Sequence, residues 1–305
     1  MNNDDIRRLN QLLLLHSDGL KAREIAKELE LAKNKVNRYL YDHQRTYRKD
    51  EQFRWYMEPA GESSDPVLVK LNNRSGAEIF TYEEFSALAD WTHGSTHREG
   101  QPAATFTSID GNRIDCDSGS ELTMLKYLHD NNLVYACGGQ NLCIPYNSAF
   151  TTGKSYYPDF VVLTRDMHIA VIEVKSAGAM DYHGNIEKYR ALKEYCIQHG
   201  YEYMVVDPTC DYLTFEELRD RPVNRELLDM FDRWNSVPDS PVQPYKFFDD
   251  QVVKEWHQKY GRGTTLGAFR LQVHALVIRY NWYNVRHNGF KVFSKPVRQE
   301  CTEQL

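Results

Sequence analysis

Three ionisable side chains lie in or beside two short apolar runs of this sequence. Asp159 directly precedes the run 160–163, and Glu173 and Lys175 belong to the run 169–175. Taking such charges out of water is costly unless another group compensates each of them. A divalent cation bound by the two carboxylates would provide that compensation, since hard cations prefer carboxylate oxygens. The pattern therefore predicts a metal site with a lysine beside it.

A hairpin of two strands would bring these residues together. Side chains alternate along a strand, so Glu173 and Lys175 point to the same face, roughly 6 to 7 Å apart. Residues 164–167 form a polar break of hairpin length between the two runs. Folding about this break brings Asp159 opposite residue 172 or 173, which places its carboxylate beside that of Glu173.

This arrangement resembles the PD-(D/E)xK superfamily of restriction-endonuclease-like nucleases. Pro158-Asp159 matches the first half of the motif, and Glu173-Val174-Lys175 matches the second half. The resemblance implies that the two acids hold Mg²⁺, for which Mn²⁺ would substitute. It also implies that Lys175 positions or activates the attacking water and offsets charge on the scissile phosphate. Phosphodiester hydrolysis is physically consistent with such a site, because it needs a hard cation that polarises the phosphate and supplies hydroxide near neutral pH.

The family usually supplies a further acid from the helix before the first core strand. Residues 118–121 open an amphipathic segment here, so the resemblance implies that Glu121 is a catalytic residue and a third metal ligand. An ordinary N-terminal acid, favoured by the helix dipole, is the alternative for Glu121. For Glu173 and Lys175, the alternative is a surface ion pair on an edge strand.

The sequence after the motif predicts the rest of the same fold. Residues 185–198 have the apolar spacing of a helix, and residues 203–207 form a short apolar strand. From 119 to 207 the chain is similar to the catalytic domain of TnsA-type transposon endonucleases. Some relatives carry a glutamine where this chain has Asn185, so Lys188 is an equally good candidate for a phosphate contact.

The first 58 residues predict a winged helix-turn-helix. Apolar spacing indicates three short helices, and residues 47–57 would form the hairpin wing. The third helix would present a polar and basic face to nucleic acid. The predicted nucleic-acid-binding residues are Lys33, Lys35, Asn37, Arg38, Tyr41 and Trp55.

Lys33, Asn37 and Tyr41 recur at four-residue steps, and Trp55 follows in the wing. This pattern is similar to the recognition surface of Zα domains, the winged helices that bind left-handed nucleic acid. The resemblance implies that Lys33 and Asn37 contact phosphates, and that Tyr41 with Trp55 packs against backbone and base. The prolines that the family has before the tryptophan are absent here. The sequence therefore supports nucleic-acid binding in general more strongly than binding of the Z-form. A winged helix used for protein contacts or dimerisation is the alternative.

Basic residues are concentrated towards the two ends of the chain. The whole sequence has 43 acidic residues against 37 lysines and arginines, a net charge of −6. Residues 21–54 nevertheless hold ten lysines or arginines against six acids, and residues 251–298 hold nine against Glu255 alone. Phosphate binding follows the local field, so basic ends around an acidic centre suit a nuclease. A basic tail that binds an acidic partner is the alternative.

These patterns together predict a multidomain α/β protein. It comprises a winged helix at 1–58, a small α+β insert at 66–118, a PD-(D/E)xK core with a mixed sheet at 119–235, and a basic helical C-terminal region at 245–305. The predicted elements outside the core are a strand at Val67–Leu71, a helix near Tyr82–Trp91, a hairpin around Asp110–Asn112 and a long helix from Leu266 to Tyr280. Trp282, Tyr283 and Phe290 could stack on bases, although such aromatics are more often core residues.

Two further signals do not support a function. Residues 152–155 look like the end of a phosphate-binding loop, but the required earlier glycine is Ser148. His93 and His97 have a metal-ligand spacing without a second pair nearby. The scattered cysteines and the lack of a long apolar run favour a soluble, cytoplasmic protein with reduced thiols.

The sequence therefore predicts a Mg²⁺-dependent DNA endonuclease, with RNA as an open alternative substrate. Transposition, phage defence and repair are all compatible contexts, with a transposase or defence protein as partner. Cutting of both strands would favour a homodimer. A DNA-bound regulator or assembly subunit that does not cleave alone is the alternative function.

Overall fold

The computed structural model describes most of the chain. The described residues are 1, 5, 8–9, 12–13, 16, 18–42, 47–57, 65–89, 103–108, 113–147, 152–236, 250–280, 283–287 and 290–294. The chain divides into two compact units, each assembled from several segments. The first contains Met1–Cys143, Tyr157–Glu173 and Tyr195–Met204, and the second contains Ile144–Tyr156, Val174–Glu194 and Val205–Leu305.

Helices and a small sheet form the N-terminal part of the first unit. Its elements are β1 (Leu20–Lys21), α1 (Ala22–Glu28), α2 (Lys33–Asp42), β2 (Tyr47–Lys49) and β3 (Arg54–Met57). The strands pair antiparallel in the order β1-β3-β2. One apolar cluster fills the space between helices and sheet: Leu9, Leu13, Ala22, Ile25, Ala26, Leu29, Val36, Leu40, Tyr47 and Trp55. The apolar positions predicted for three helices are therefore buried together wherever they are described.

The predicted strand at Val67–Leu71 is wrong, because a 3-10 turn at Leu68–Lys70 takes its place. The Asp65 carboxylate accepts hydrogen bonds from the amides of Val67 and Leu68 at 2.9 and 3.0 Å. An aspartate that binds the amides after it starts a turn and competes with strand pairing. The apolar residues of this run that are buried therefore lie in or beside a turn instead of a strand.

The segment before the core contains α3 (Tyr82–Ala89), β4 (Ala104–Thr107), β5 (Arg113–Cys116) and α4 (Gly119–Asp130). The helix predicted near Tyr82–Trp91 is present up to Ala89. β4 and β5 pair antiparallel, as the two arms of a hairpin do. The predicted turn at Asp110–Asn112, together with His93 and His97, lies outside the described residues.

A mixed five-stranded sheet forms the centre of the α/β fold. The elements of this part are β6 (Val134–Gly138), β7 (Ile144–Tyr146), β8 (Lys154–Tyr156), β9 (Phe160–Thr164), β10 (Ile169–Val174), α5 (Ala177–Met180), α6 (His183–Gln198), β11 (Glu202–Asp207), β12 (Leu213–Thr214) and α7 (Phe215–Asp220). The strand order is β12-β11-β10-β9-β6. Every residue of β6, β9, β10 and β11 is buried, which explains why their sequences are nearly continuous apolar runs.

The C-terminal part of the second unit contains α8 (Arg225–Ser236), α9 (Asp250–Tyr260), α10 (Leu266–Arg279), β13 (Tyr283–His287) and β14 (Phe290–Ser294). Apolar residues of the three helices form one cluster that includes Phe231, Val253 and Phe269. The long helix predicted from Leu266 is α10. The antiparallel hairpin of β13 and β14 replaces helix in a region predicted to be helical. Trp282 and residues 237–249 lie outside the described part of the chain.

No helix within the described ranges is long and apolar enough to cross a membrane.

Candidate functional site

The β9–β10 hairpin aligns the two halves of the predicted motif. Antiparallel pairing runs from Leu163 opposite Ile169 to Phe160 opposite Ile172. Asp159 directly precedes Phe160 and Glu173 directly follows Ile172, so both residues adjoin the last pair of this register. Asp159 is 7% exposed and Glu173 is 3% exposed. Two carboxylates are thus buried at the open end of the same hairpin.

The turn at the other end of this hairpin fixes the register. The Thr164 amide donates to the His168 carbonyl at 2.9 Å, and the Met167 amide donates to the Thr164 carbonyl at 3.0 Å. Met167 has a φ of 63° and a side chain that is only 4% exposed, so it is held in place by packing. A slip of one residue would turn every side chain to the opposite face of the sheet. The turn therefore helps to set the register in which Phe160 lies opposite Ile172.

Cys116, at the end of β5, lies in the electrostatic field of Asp159 and of three other acids. Burial, together with the charges of nearby Glu121, Asp115, Asp117 and Asp159, raises the pKa of the Cys116 thiol to about 11. Glu121 and Asp159 therefore both lie close enough to act on a single thiol. A thiol with so high a pKa stays protonated near neutral pH, so it is a poor metal ligand and a poor nucleophile.

Glu121 has a local structural role at the start of α4. Its Oε2 accepts a hydrogen bond from the Asp117 amide at 2.7 Å, and its Oε1 accepts from the Ser118 hydroxyl at 2.8 Å. The Ser118 hydroxyl in turn accepts from the Glu121 amide, so the two side chains cap the helix together. Among the described side chains, no three His, Cys, Asp or Glu converge as a metal site. A ligand role for Glu121 therefore stays a prediction, whereas its capping role is visible.

The segment after β10 anchors Lys175 through the backbone. The Lys175 amide donates to the Val206 carbonyl at 2.9 Å, and the Ala177 amide donates to Oδ2 of Asp207 at 2.7 Å. Asp207, only 4% exposed, also accepts from the Thr209 hydroxyl at 2.6 Å. The sequence showed Asp207 only as the last residue of a strand. The signal in the sequence that could have identified Asp207 as a candidate site residue was its position at the end of a strand that pairs next to Lys175.

A buried pair ties the C-terminal helix to the same segment. Nδ1 of His274, on α10, lies 2.7 Å from Oδ2 of Asp181, which directly follows α5. Asp181 is fully buried and His274 is 6% exposed. Nothing in the sequence indicated this contact, because the partners are 93 residues apart. Helix α10 therefore helps to hold the turn that follows Lys175.

Asn185, the predicted alternative phosphate contact, is used within the fold. Its side-chain amide donates to the Ala179 carbonyl at 2.8 Å, so it caps the short helix α5. The ammonium of Lys188 lies 5.6 Å from the centre of the Tyr156 ring. Of the two candidates, Lys188 is the one whose charge could meet a phosphate.

Residues 131–207 match the TnsA-like endonuclease N-terminal family. The matched residues include Asp159, Glu173, Lys175 and Asp207. The match supports a relationship to the restriction-endonuclease-like nucleases and indicates a nuclease. No curated protein sequence matches the chain.

Glu202 is another buried carboxylate of the TnsA-like region, on β11. It is 1% exposed, and its Oε1 lies 3.2 Å from Nε of Arg74. The pKa of Glu202 is raised from an ordinary value of 4.5 to about 6, chiefly by burial and also by Asp166, although Arg74 and His168 act to lower it. Desolvation thus outweighs the ion pair with Arg74.

Protonation of Glu202 is expected to stabilise the protein. Because the pKa is higher in the folded state, this stabilisation is complete below pH 4.5 and is lost as the pH rises through about 6. The loss amounts to about 2 kcal/mol. Urea unfolding on both sides of this window should show the change in the wild-type protein but not in Glu202→Gln. A free-energy difference between the two proteins that does not vary with pH would contradict this prediction.

The predicted nucleic-acid-binding residues differ in their exposure. Lys33, Lys35 and Arg38 are exposed on α2, and Asn37 is half-buried. The ammonium of Lys35 lies 2.8 Å from Asp5, so its charge is partly neutralised. Arg38 lies 3.9 Å from Asp42, a weak surface pair. Lys33 therefore presents its charge to solvent more freely than Lys35 does.

Trp55 and Tyr41 form an edge-to-face pair on the N-terminal sheet. Their ring centres are 5.0 Å apart and their planes are inclined by 87°. Trp55 is only 2% exposed, whereas Tyr41 is 48% exposed. The Trp55 ring thus supports Tyr41 from within the core, and the Tyr41 ring is the one of the two that is exposed to solvent.

Proposed function

We propose that this protein is a metal-dependent endonuclease that hydrolyses phosphodiester bonds of DNA. One observation carries the proposal: Asp159 and Glu173 are both buried at the open end of one hairpin, inside the residues that match the TnsA-like endonuclease family. Two carboxylates at such positions repel each other when both are ionised. The two carboxylates would hold a divalent cation, whose charge would offset this repulsion.

The chemistry of the donor set fits Mg²⁺. Mg²⁺ is commonly held by one or two protein carboxylates, with waters and substrate phosphates completing the coordination. Asp159 and Glu173 would be those ligands, and Glu121 remains a candidate third acid. When bound, the cation polarises the phosphate and makes hydroxide available near neutral pH. Lys175 follows Glu173 by two residues, and we assign it the positioning of the attacking water.

The first 58 residues would bring nucleic acid to this centre as a winged helix. Two features support the assignment: helices that pack on a three-stranded antiparallel sheet, and the exposed basic residues of α2. Lys33 and Tyr41 are the residues of α2 best placed to contact a ligand. A phosphate contact by Lys33 would make binding depend on salt, because it releases counterions.

Cleavage should depend strictly on a divalent metal. The full chain is incubated with supercoiled plasmid, linear duplex, single-stranded DNA and RNA, in the presence of Mg²⁺, Mn²⁺ or EDTA. We expect cutting of DNA with either metal, because the proposed ligands are carboxylate oxygens, which bind both. We expect no cutting with EDTA, because EDTA removes the metal. Cutting that survives EDTA would contradict the proposal. The comparison of substrates decides between DNA and RNA.

A partner-dependent subunit is the second candidate function. The description of the matching family favours it, since the TnsA-like name points to transposition. In that case the isolated chain would bind DNA without cutting it, and addition of a transposase or defence-system partner would restore cleavage.

Sedimentation with and without DNA tests the predicted homodimer, and a monomer in both states would favour nicking or a different partner.

A further inference from the structure

We propose that Phe53, at the tip of the β2–β3 hairpin, stacks on an unpaired base of the bound nucleic acid. The proposal rests on the nucleic-acid binding proposed above for the N-terminal residues, and it specifies the ligand. The preferred ligand would be a strand or duplex with accessible base faces, such as single-stranded, bulged or junction DNA.

Phe53 combines a strained backbone with an exposed side chain. Its φ is 63°. Its side chain is 69% exposed, although it is a large apolar group. The left-handed region is unfavourable for residues with a bulky side chain, by about 1 kcal/mol, and glycine or asparagine is normally found there. Residues held in such conformations cluster at binding sites.

The hairpin turn does not need a phenylalanine at this position. The Asp50 carboxylate accepts hydrogen bonds from the amides of Gln52 and Arg54 at 2.9 and 2.8 Å. The Phe53 amide donates to the Asp50 carbonyl at 3.1 Å, and the Asp50 amide donates to the Arg54 carbonyl at 3.0 Å. All four bonds use backbone groups or Asp50. No hydrogen bond of this turn therefore requires an aromatic side chain at position 53.

Lys49 joins Phe53 to the other aromatic residues of this surface. The Lys49 ammonium lies 4.8, 5.2 and 5.7 Å from the ring centres of Tyr41, Phe53 and Trp55. It also donates to the Tyr41 hydroxyl at 2.6 Å. A cation among aromatic faces matches what a nucleotide offers, since the base can stack on a ring while the phosphate meets the charge.

The exposed charges of β2, of its turn and of α2 favour nucleic acid over an apolar protein partner. Arg48 and Lys49 on β2 and Lys33 on α2 are exposed. Glu51 is the exposed acid of the same turn. Cations and reachable aromatic rings together are typical of surfaces that bind single strands without reading their sequence.

The test uses the full chain with Asp159→Asn, so that cleavage does not interfere. Phe53→Asn and Phe53→Tyr are compared by anisotropy on single-stranded, bulged and fully paired DNA, with 2-aminopurine as the unpaired base. Ile79→Asn is the matched control, because Ile79 is also a large exposed apolar residue, at 76%. Urea unfolding is measured for each variant.

We expect Phe53→Asn to weaken binding of single-stranded and bulged DNA about tenfold, with little change for the paired duplex. Its unfolding midpoint should stay the same or rise, because asparagine accepts a positive φ. Phe53→Tyr should retain the affinity and the 2-aminopurine quenching, and Ile79→Asn should change neither.

Three results would overturn the proposal. They are an unchanged affinity for unpaired DNA, an equal loss on all three ligands, and a lower unfolding midpoint, which would mean that Phe53 packs within the fold. Loss of self-association with unchanged DNA binding would instead assign this surface to a second copy of the chain. If Lys33→Ala lowers DNA affinity while Phe53→Asn does not, nucleic-acid binding stands and only the stacking role fails.

Discussion

Replacement of Asp159 by Asn, or of Glu173 by Gln, is expected to reduce DNA cleavage by at least about a thousandfold. Either change converts a metal-binding carboxylate into a neutral amide of similar volume. A bound metal contributes several kcal/mol to stabilisation of the transition state, and each factor of ten in rate corresponds to about 1.4 kcal/mol. The measurement is the single-turnover rate of plasmid cleavage at saturating Mg²⁺.

Glu202→Gln is the matched control for these two variants. Glu202 is also a buried carboxylate of the central sheet, but its neighbour is Arg74 instead of a second motif acid. This variant should cut DNA at close to the wild-type rate. Urea unfolding of all three variants separates lost chemistry from a lost fold. Wild-type cleavage by a folded Asp159→Asn variant would remove the basis of the proposed metal centre.

Replacement of Lys175 by Met is expected to lower the rate of cleavage about a hundredfold to a thousandfold while DNA binding persists. Methionine keeps most of the length and apolar character of the side chain, and it removes only the ammonium. A group that positions or activates water typically contributes a factor in this range. Rates are measured at saturating DNA and saturating Mg²⁺, and DNA affinity is measured separately in Ca²⁺.

Lys188→Met distinguishes the chemistry of Lys175 from simple phosphate binding. Lys188 is a lysine of α6 whose ammonium lies over the ring of Tyr156. Its loss should weaken DNA binding and leave the single-turnover rate at saturation nearly unchanged. If Lys175→Met showed this same behaviour, Lys175 would be a phosphate contact, and another group would have to position the water.

The hairpin at the centre of the proposed site could be predicted because its signals are local. Continuous apolar runs indicate strands buried on both faces, and the polar break between them indicates a hairpin, which the structure forms with Phe160 opposite Ile172. The capping role of Glu121 is local too, since Ser118 precedes it by three residues. Both features follow from short stretches of sequence.

Features that depend on distant residues could not be predicted. The burial of Trp55 depends on its position opposite Leu20 on β1, a strand too short to recognise in the sequence. The charge of Lys35 is paired with Asp5, 30 residues away. At Val67–Leu71, one aspartate side chain overrides the apolar pattern and makes a turn. Where packing or a side-chain hydrogen bond decides the outcome, apolar periodicity alone gives the wrong element.

The contact between Asp181 and His274 bears on how such a protein can evolve. The predicted motif ends at Lys175, yet the turn after it contacts a helix almost a hundred residues further along the chain. A gene fragment that ended after the matched region, at residue 207, would leave Asp181 without His274. A buried carboxylate deprived of its partner is strongly destabilising. Recombination that joins this nuclease to a different C-terminal part must therefore carry α10 with it or supply a new partner for Asp181.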